Sequence, residues 1–137
     1  MKKEDRKNLK KKYQESHPPM GVFLIRNIVN DKVFVAAGRN LQGIINRHRF
    51  QLIAGSHPNK SLQTDWSKLG IQSFAFEILE EFSPPDDSRF DEAKELAFME
   101  KLWLEKLQPF AERGYNEPKL SREEKLRRIA ANRLDAY

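Results

Sequence analysis

The most constraining stretch of the chain spans residues 21–38, GVFLIRNIVNDKVFVAAG. Apolar, β-branched and aromatic residues flank Asn30-Asp31, a dipeptide suited to chain reversal, and this predicts a β-hairpin. The second arm ends abruptly. Phe34 and Val35 read as strand, then come Ala36, Ala37 and Gly38, with Arg39 and Asn40 directly behind. Small residues followed by a cation fit close approach to something bulky and anionic. They fit equally a tight strand-to-helix turn that serves only the fold.

Beyond the hairpin the period changes. Leu41, Ile44, Ile45, His48 and Leu52 recur at helical spacing. Asn40 is suited to cap that helix and Gly55 to stop it. A shorter helix is predicted over 59–69, with Leu62, Trp66 and Leu69 on one face and Gly70 as its stop. SFAFEILEEF is the third strand and SPPDDS a loop. Residues 91–107 form a helix ended by Pro109, and AERGYNEP follows as an ordered segment. The first eighteen residues contain a short helical segment with a thin Leu9/Tyr13 face, ended by Pro18-Pro19. Near the other end, Ser121 and Glu124 form a capping box. Leu126, Ile129, Ala130 and Leu134 give the helix that follows an apolar face, suited to dock on the domain, on another subunit or at a membrane surface, with the domain as the favoured reading.

The order β-β-α-α-β-α predicts an α/β (α+β) domain over 20–118. A three-stranded, mainly antiparallel sheet is flanked by helices, with helical extensions at 1–19 and 119–137. A chain of 137 residues is long enough for one domain with a real core. It has no cysteine, which excludes disulfides and thiolate metal sites and fits a reducing compartment. No segment approaches the roughly 18 apolar residues of a membrane span, and no apolar run follows the basic N-terminus as in a secretory signal. A monomeric cytoplasmic protein, with no membrane partner and no small-molecule cofactor, is the expectation.

The net charge of +5 is unevenly placed. Residues 1–19 carry seven Lys/Arg and three acids, and residues 119–137 carry six and three. The middle is basic only in its first half: 20–82 is net +2 and 83–118 net −4. Basic flanks attract phosphate through counterion release, although charged ends also serve solubility alone.

Single residues were weighed the same way. Trp66 and Trp103 sit at core spacing and read as packing. His48, beside an apolar stripe, reads as a satisfied structural histidine, whereas His57 lies in a polar loop. Glu100 stands out on the 91–107 helix, because at 100° per residue it falls within the stripe of Leu96, Trp103, Leu104 and Leu107. A carboxylate there is costly unless it is paired or holds a cation. One reading is a salt bridge to an arginine. The other is a ligand for Mg²⁺, which tolerates a single carboxylate because it keeps several of its waters.

Seven segments in order, GVF, VFVAAGRNL, NRHRF, GSHPNKSLQTDW, FAFEILEE, MEKLWLEKLQP and GYN, resemble the GIY-YIG nuclease superfamily over residues 21–116. The two name-giving tripeptides are weak signals, and the ordered set is specific. The charged N-terminal helix and the ending look like a small stand-alone bacterial branch. The resemblance implies phosphodiester hydrolysis on DNA with Mg²⁺ or Mn²⁺. It implies that Glu100 holds the metal, that His57 assists, and that Asn116 orients the site.

Four positions depart from the pattern. Phe23 and Phe34 stand where the resemblance implies tyrosines, Ala36 replaces a glycine, and Ile44 stands where it implies an arginine. General acid–base help is worth roughly 10²–10⁴ in rate, and a positioned donor to transition-state charge about 2.7–4 kcal/mol. Hydrolysis is therefore expected to be reduced or lost, as in a pseudoenzyme. Arg39, Arg47, Arg49 and Lys60 are the residues expected to touch DNA phosphates, with Arg39 or Arg47 as possible stand-ins for the missing arginine. Three readings stay open: a DNA-binding domain of degenerate nuclease fold, a metal-dependent DNA endonuclease using Glu100, and a protein-interaction scaffold.

Overall fold

The structure, a computed structural model, describes residues 18–118 and, further on, positions 123, 126, 127 and 129–131. The N-terminal helix expected within 1–19 and the Ser121/Glu124 capping box lie outside the described residues. Leu126 and Ile129 are helical as expected, but they are 57% and 51% exposed, so these two side chains do not make the expected docking contact.

Three strands form one sheet: β1 (Met20–Asn27), β2 (Val33–Gly38) and β3 (Phe74–Phe82). The order is β2-β1-β3, and both pairings are antiparallel. The helices are α1 (Leu41–Ala54), α2 (Lys60–Leu69) and α3 (Glu92–Leu107), with single 3₁₀ turns at Ile71–Ser73 and Ala111–Arg113. The β-β-α-α-β-α order is thus the one the sequence predicts.

The hairpin loop is longer than the Asn30-Asp31 pair alone. Asn27 donates its N–H to Lys32 O at 2.8 Å and accepts at its carbonyl from Asp31 N at 2.8 Å. Its side-chain oxygen accepts from Val29 N at 3.0 Å. These bonds close the reversal at Asn27 and leave Ile28 and Val29 exposed in the loop, although both are strand formers. Asp31 takes the left-handed conformation, φ 62°, which Asp tolerates better than most residues.

Alternation along the strands feeds two cores. Phe23 and Ile25, with Phe34 and Ala36, face α1 and α2 and meet Leu41, Ile45, Leu52, Leu62 and Trp66. Met20, Val22 and Leu24, with Val33 and Val35, face α3 and meet Met99, Leu96 and Trp103. Each large side chain buried this way stabilises the fold by about 1.5–3 kcal/mol before entropy is counted. The small residues that end β2 also find their reason here. A Cβ on Gly38 would lie 2.8 Å from Ile44 Cγ2, so glycine lets α1 lie close against the strand. That favours the tight-turn reading of the stretch over the ligand reading.

The helix ends are built as the sequence predicts. Asn40 accepts from Gly43 N at 3.1 Å, Asn59 from Leu62 N at 3.0 Å, and Asp91 from Lys94 N at 3.1 Å. Gly55 closes α1 with φ 76°. Gln108 closes α3 in the left-handed region, just ahead of Pro109.

After α3 the chain returns along the free edge of β2. Tyr115 N donates to Val33 O at 2.9 Å. Asn116 pairs with the Val35 backbone through both side-chain atoms, its Oδ1 accepting from N and its Nδ2 donating to O, each at 2.8 Å. Gly114 fits because a Cβ there would collide with the Pro109 and Val33 carbonyls. The buried Tyr115 hydroxyl donates to Asp65 Oδ2 at 2.7 Å and accepts from Asn27 Nδ2 at 2.9 Å. It thereby ties the tail to α2 and to the hairpin. Tyr115→Phe would leave the fully buried Asn27 amide short of a partner. Urea denaturation of this variant should show a loss of about 1–3 kcal/mol, and an unchanged midpoint would refute the role assigned to this hydroxyl.

Candidate functional site

Two histidines meet on the α1/α2 side of the sheet. α1 carries His48 on its inner face, and the α1–α2 loop carries His57. His48 Nδ1 lies 2.8 Å from His57 Nε2. Their walls are the two phenylalanines of the sheet. Phe23 meets His48 edge-on at 5.4 Å between ring centres, and Phe34 meets His57 edge-on at 5.5 Å and His48 at 5.7 Å. His57 is buried and His48 half-buried.

The hydrogen bonds assign the protons. Asn59 N donates to His57 Nδ1 at 3.0 Å, so that nitrogen carries none. In a neutral ring the proton then sits on Nε2 and is donated to His48 Nδ1. His48 therefore holds its own proton on Nε2. The loop is fixed from both sides: His57 N donates to Gln63 Oε1 at 3.0 Å, and Gln63 Nε2 donates back to Leu52 O at 3.1 Å.

Both rings are neutral near pH 7. Burial is the main cause that holds the His48 pKa down to about 4 from an ordinary 6.5, with the neighbouring His57 and Arg47 adding to it. Burial likewise lowers His57. The free His48 Nε2–H is thus a hydrogen-bond donor. A general base needs an open lone pair toward its proton source, and the lone pair of His48 is already occupied by His57.

From the pair a chain of contacts runs to the tail. Asn59 caps α2 with Oδ1, holds His57 with its N–H, and donates Nδ2 to Tyr115 O at 2.6 Å. The next residue is Asn116 on Val35, adjacent to Phe34. Asn116 thus holds the backbone beside this wall, and both its side-chain groups are spent on backbone.

The remaining expected residues scatter. Phe23 is 0% exposed and belongs to the core. Ile44 packs half-buried against that core and against Gly38. Arg47 is exposed on α1, and exposed Arg49 lays its guanidinium over Phe76 at 4.7 Å. Lys60 opens α2 at the rim of a recess shared with Ser61, Tyr115 and Glu117. Arg39 sits apart, lining a depression with Arg89, Asp91 and Glu92 at the start of α3. Glu100 is half-buried on α3, the helix that covers the opposite sheet face from the histidines. Trp66 and Trp103 pack as expected, and Trp103 Nε1 also donates to Glu80 at 3.0 Å.

Reading His48 as structural missed its partnership with His57. The signal available was its place on the inner face of α1, together with the short loop that returns His57 toward that helix. Asn59 and Tyr115 were visible only as the first residue of a predicted helix and as part of an ordered tail.

No group of three or more His, Asp or Glu side chains among the described residues could hold a metal ion.

The histidines make stability depend on pH with a defined sign. Their folded pKa values lie below the unfolded value of about 6.5, so the unfolded chain binds more protons in the window between that value and about 4 for His48. Stability is full above pH 6.5 and falls on acidification through this window. The urea midpoint should drop between pH 7 and pH 5, and His48→Gln should flatten that drop. A midpoint that holds or rises would contradict the assignment.

No family model and no curated protein matches the chain. Two solved structures do. One is the catalytic domain of the intron endonuclease I-TevI in a glutamate-to-alanine mutant, with 26% identity and a TM-score of 0.60, covering 75% of this chain and 97% of that one. The other is the catalytic domain of the homing endonuclease I-TevI, with 27% identity and a TM-score of 0.58, covering 73% and 99%. The three-stranded antiparallel sheet with its flanking helices is the architecture of that GIY-YIG domain, and the fold of this chain is GIY-YIG-like.

Proposed function

We propose that this protein is a DNA-binding domain of nuclease fold whose phosphodiester hydrolysis is reduced or lost. The observation that carries this reading is the wall of the histidine site. Phe23 and Phe34 put bare ring edges where the resemblance implies hydroxyls, and Phe23 is sealed in the core. The proton arrangement points the same way, because the His48 nitrogen not bonded to His57 donates and does not accept. DNA as the partner rests on the likeness to two structures of one endonuclease catalytic domain and on the exposed cations Arg39, Arg47, Arg49 and Lys60.

Were a divalent ion bound, Glu100 would be its ligand, and the ion would supply positive charge against phosphate oxygens. The described site offers little else to the reaction: a donor from His48, an Asn116 already committed to Val35, and a Tyr115 phenol already spent on Asp65 and Asn27.

Supercoiled, linear and branched DNA with Mg²⁺ or Mn²⁺ should remain uncut, while DNA binding should weaken steeply as salt rises. Nicking that disappears in Glu100→Ala would overturn the loss of activity and establish a metal-dependent nuclease. Absence of binding even at low salt would leave a protein-interaction scaffold. The combined change Phe23→Tyr, Phe34→Tyr and Ile44→Arg should raise cleavage in a soluble, folded variant, since it returns the missing groups to their expected positions.

A further inference from the structure

Among the described residues, none covers the two apolar side chains on the outer face of α1. Phe50 is 71% exposed and Ile53, one turn on, is 62% exposed. At 100° per residue they lie about 160° and 100° round the helix from the buried Leu52. Arg49 and Arg47 flank them on either side. Neighbouring exposed apolar residues framed by cations are the kind of surface that marks an interaction site.

The charge around this face is one-sided. From residue 32 to residue 64 the sequence holds five Lys/Arg and no Asp or Glu. The whole of α1 therefore lacks a carboxylate that could neutralise Arg47 or Arg49 from within the helix. The ion pairs of Arg26 with Glu77 and of Arg89 with Asp87 involve other elements. Arg49 is held in place by Phe76 through a cation–π contact and keeps its charge available. A second copy of this chain would be a poor occupant. A two-fold interface brings each residue close to its own copy, and here it would set uncompensated arginines against arginines.

Cations that track phosphates beside an exposed ring that stacks on bases are the two parts of a single-strand binding surface. We propose that the outer face of α1 binds DNA at unpaired bases, with Phe50 stacking on a base and Arg47 and Arg49 contacting the flanking phosphates. This rests on the reading of the domain as DNA-binding and deepens it, because it selects branched, bubbled or flapped DNA over uninterrupted duplex. Every base has a π-face, so the preference is for unpaired structure and not for sequence.

The test compares a labelled duplex with the same duplex carrying a central unpaired bubble, by fluorescence anisotropy on the full chain. The bubble should bind tighter by on the order of tenfold. Phe50→Ala should erase that preference while leaving duplex affinity unchanged, and Phe50→Trp should keep it. Arg47→Ala with Arg49→Ala should weaken both DNAs together and reduce the salt dependence. Equal binding of bubble and duplex by the wild type, or an equal effect of Phe50→Ala on both, would overturn the stacking role while leaving DNA binding intact. Absence of binding to either DNA would overturn the proposal together with the reading on which it rests. A change in sedimentation from dimer to monomer in Phe50→Ala would assign the face to self-association and also overturn it.

Discussion

The burial of β1 on both faces governs the rest of the molecule. It is the middle strand, and from Met20 to Ile25 its side chains are essentially shielded from water. A strand so placed must be apolar on both sides, as in sheets covered on two faces, and MGVFLI meets that demand. The two cores are simply its two faces. Phe23 and Ile25 look toward α1 and α2, while Met20, Val22 and Leu24 look toward α3. Any group that β1 offers to a site must therefore reach it through the core, and a phenyl ring sits more comfortably there than a phenol without a partner.

That constraint links the substitutions to one another. With Phe23 closed into the core and Phe34 beside it, the walls around the histidines are apolar. Apolar walls keep imidazoles neutral, because they withhold the solvation a cation needs. Neutral imidazoles hydrogen-bonded in line then have only one consistent set of protons, fixed by the Asn59 amide. Ile44 belongs to the same pattern: its branched side chain fills the space over Gly38, where a guanidinium would carry charge into the helix–strand contact. The phenylalanines, the isoleucine and the histidine pair form one mutually compatible environment.

Much of this fold was legible in the sequence because its signals are local. Asn40, Asn59 and Asp91 cap helices from their own side chains, and Gly55 and Pro109 end helices by backbone geometry alone. Alternation and helical spacing assign the two cores before any tertiary contact is known. The hairpin was read less well. Ile28 and Val29 have strong strand preference, yet the side chain and backbone of Asn27 close the loop first, and a local hydrogen bond overrode propensity. The site was legible in its residue types and hidden in its connections. His57 and Asn116 were picked out, but the link between them runs through Asn59 and Tyr115, across more than fifty positions of sequence. Spacing does not encode that link. It exists only because the tail returns along β2.

That return also shows why an asparagine is the suitable residue at position 116. Val35 offers a donor and an acceptor at the sheet edge, and an unpaired strand edge invites other chains. A primary amide is the one neutral side-chain group that presents an acceptor and a donor side by side, in the spacing of a peptide unit. Asn116 therefore imitates a strand residue with its side chain and caps the edge at the point next to Phe34. An aspartate would repel the Val35 carbonyl, and a leucine would leave both groups unmet. The residue that the resemblance implies as an orienter completes the sheet beside the wall of the site.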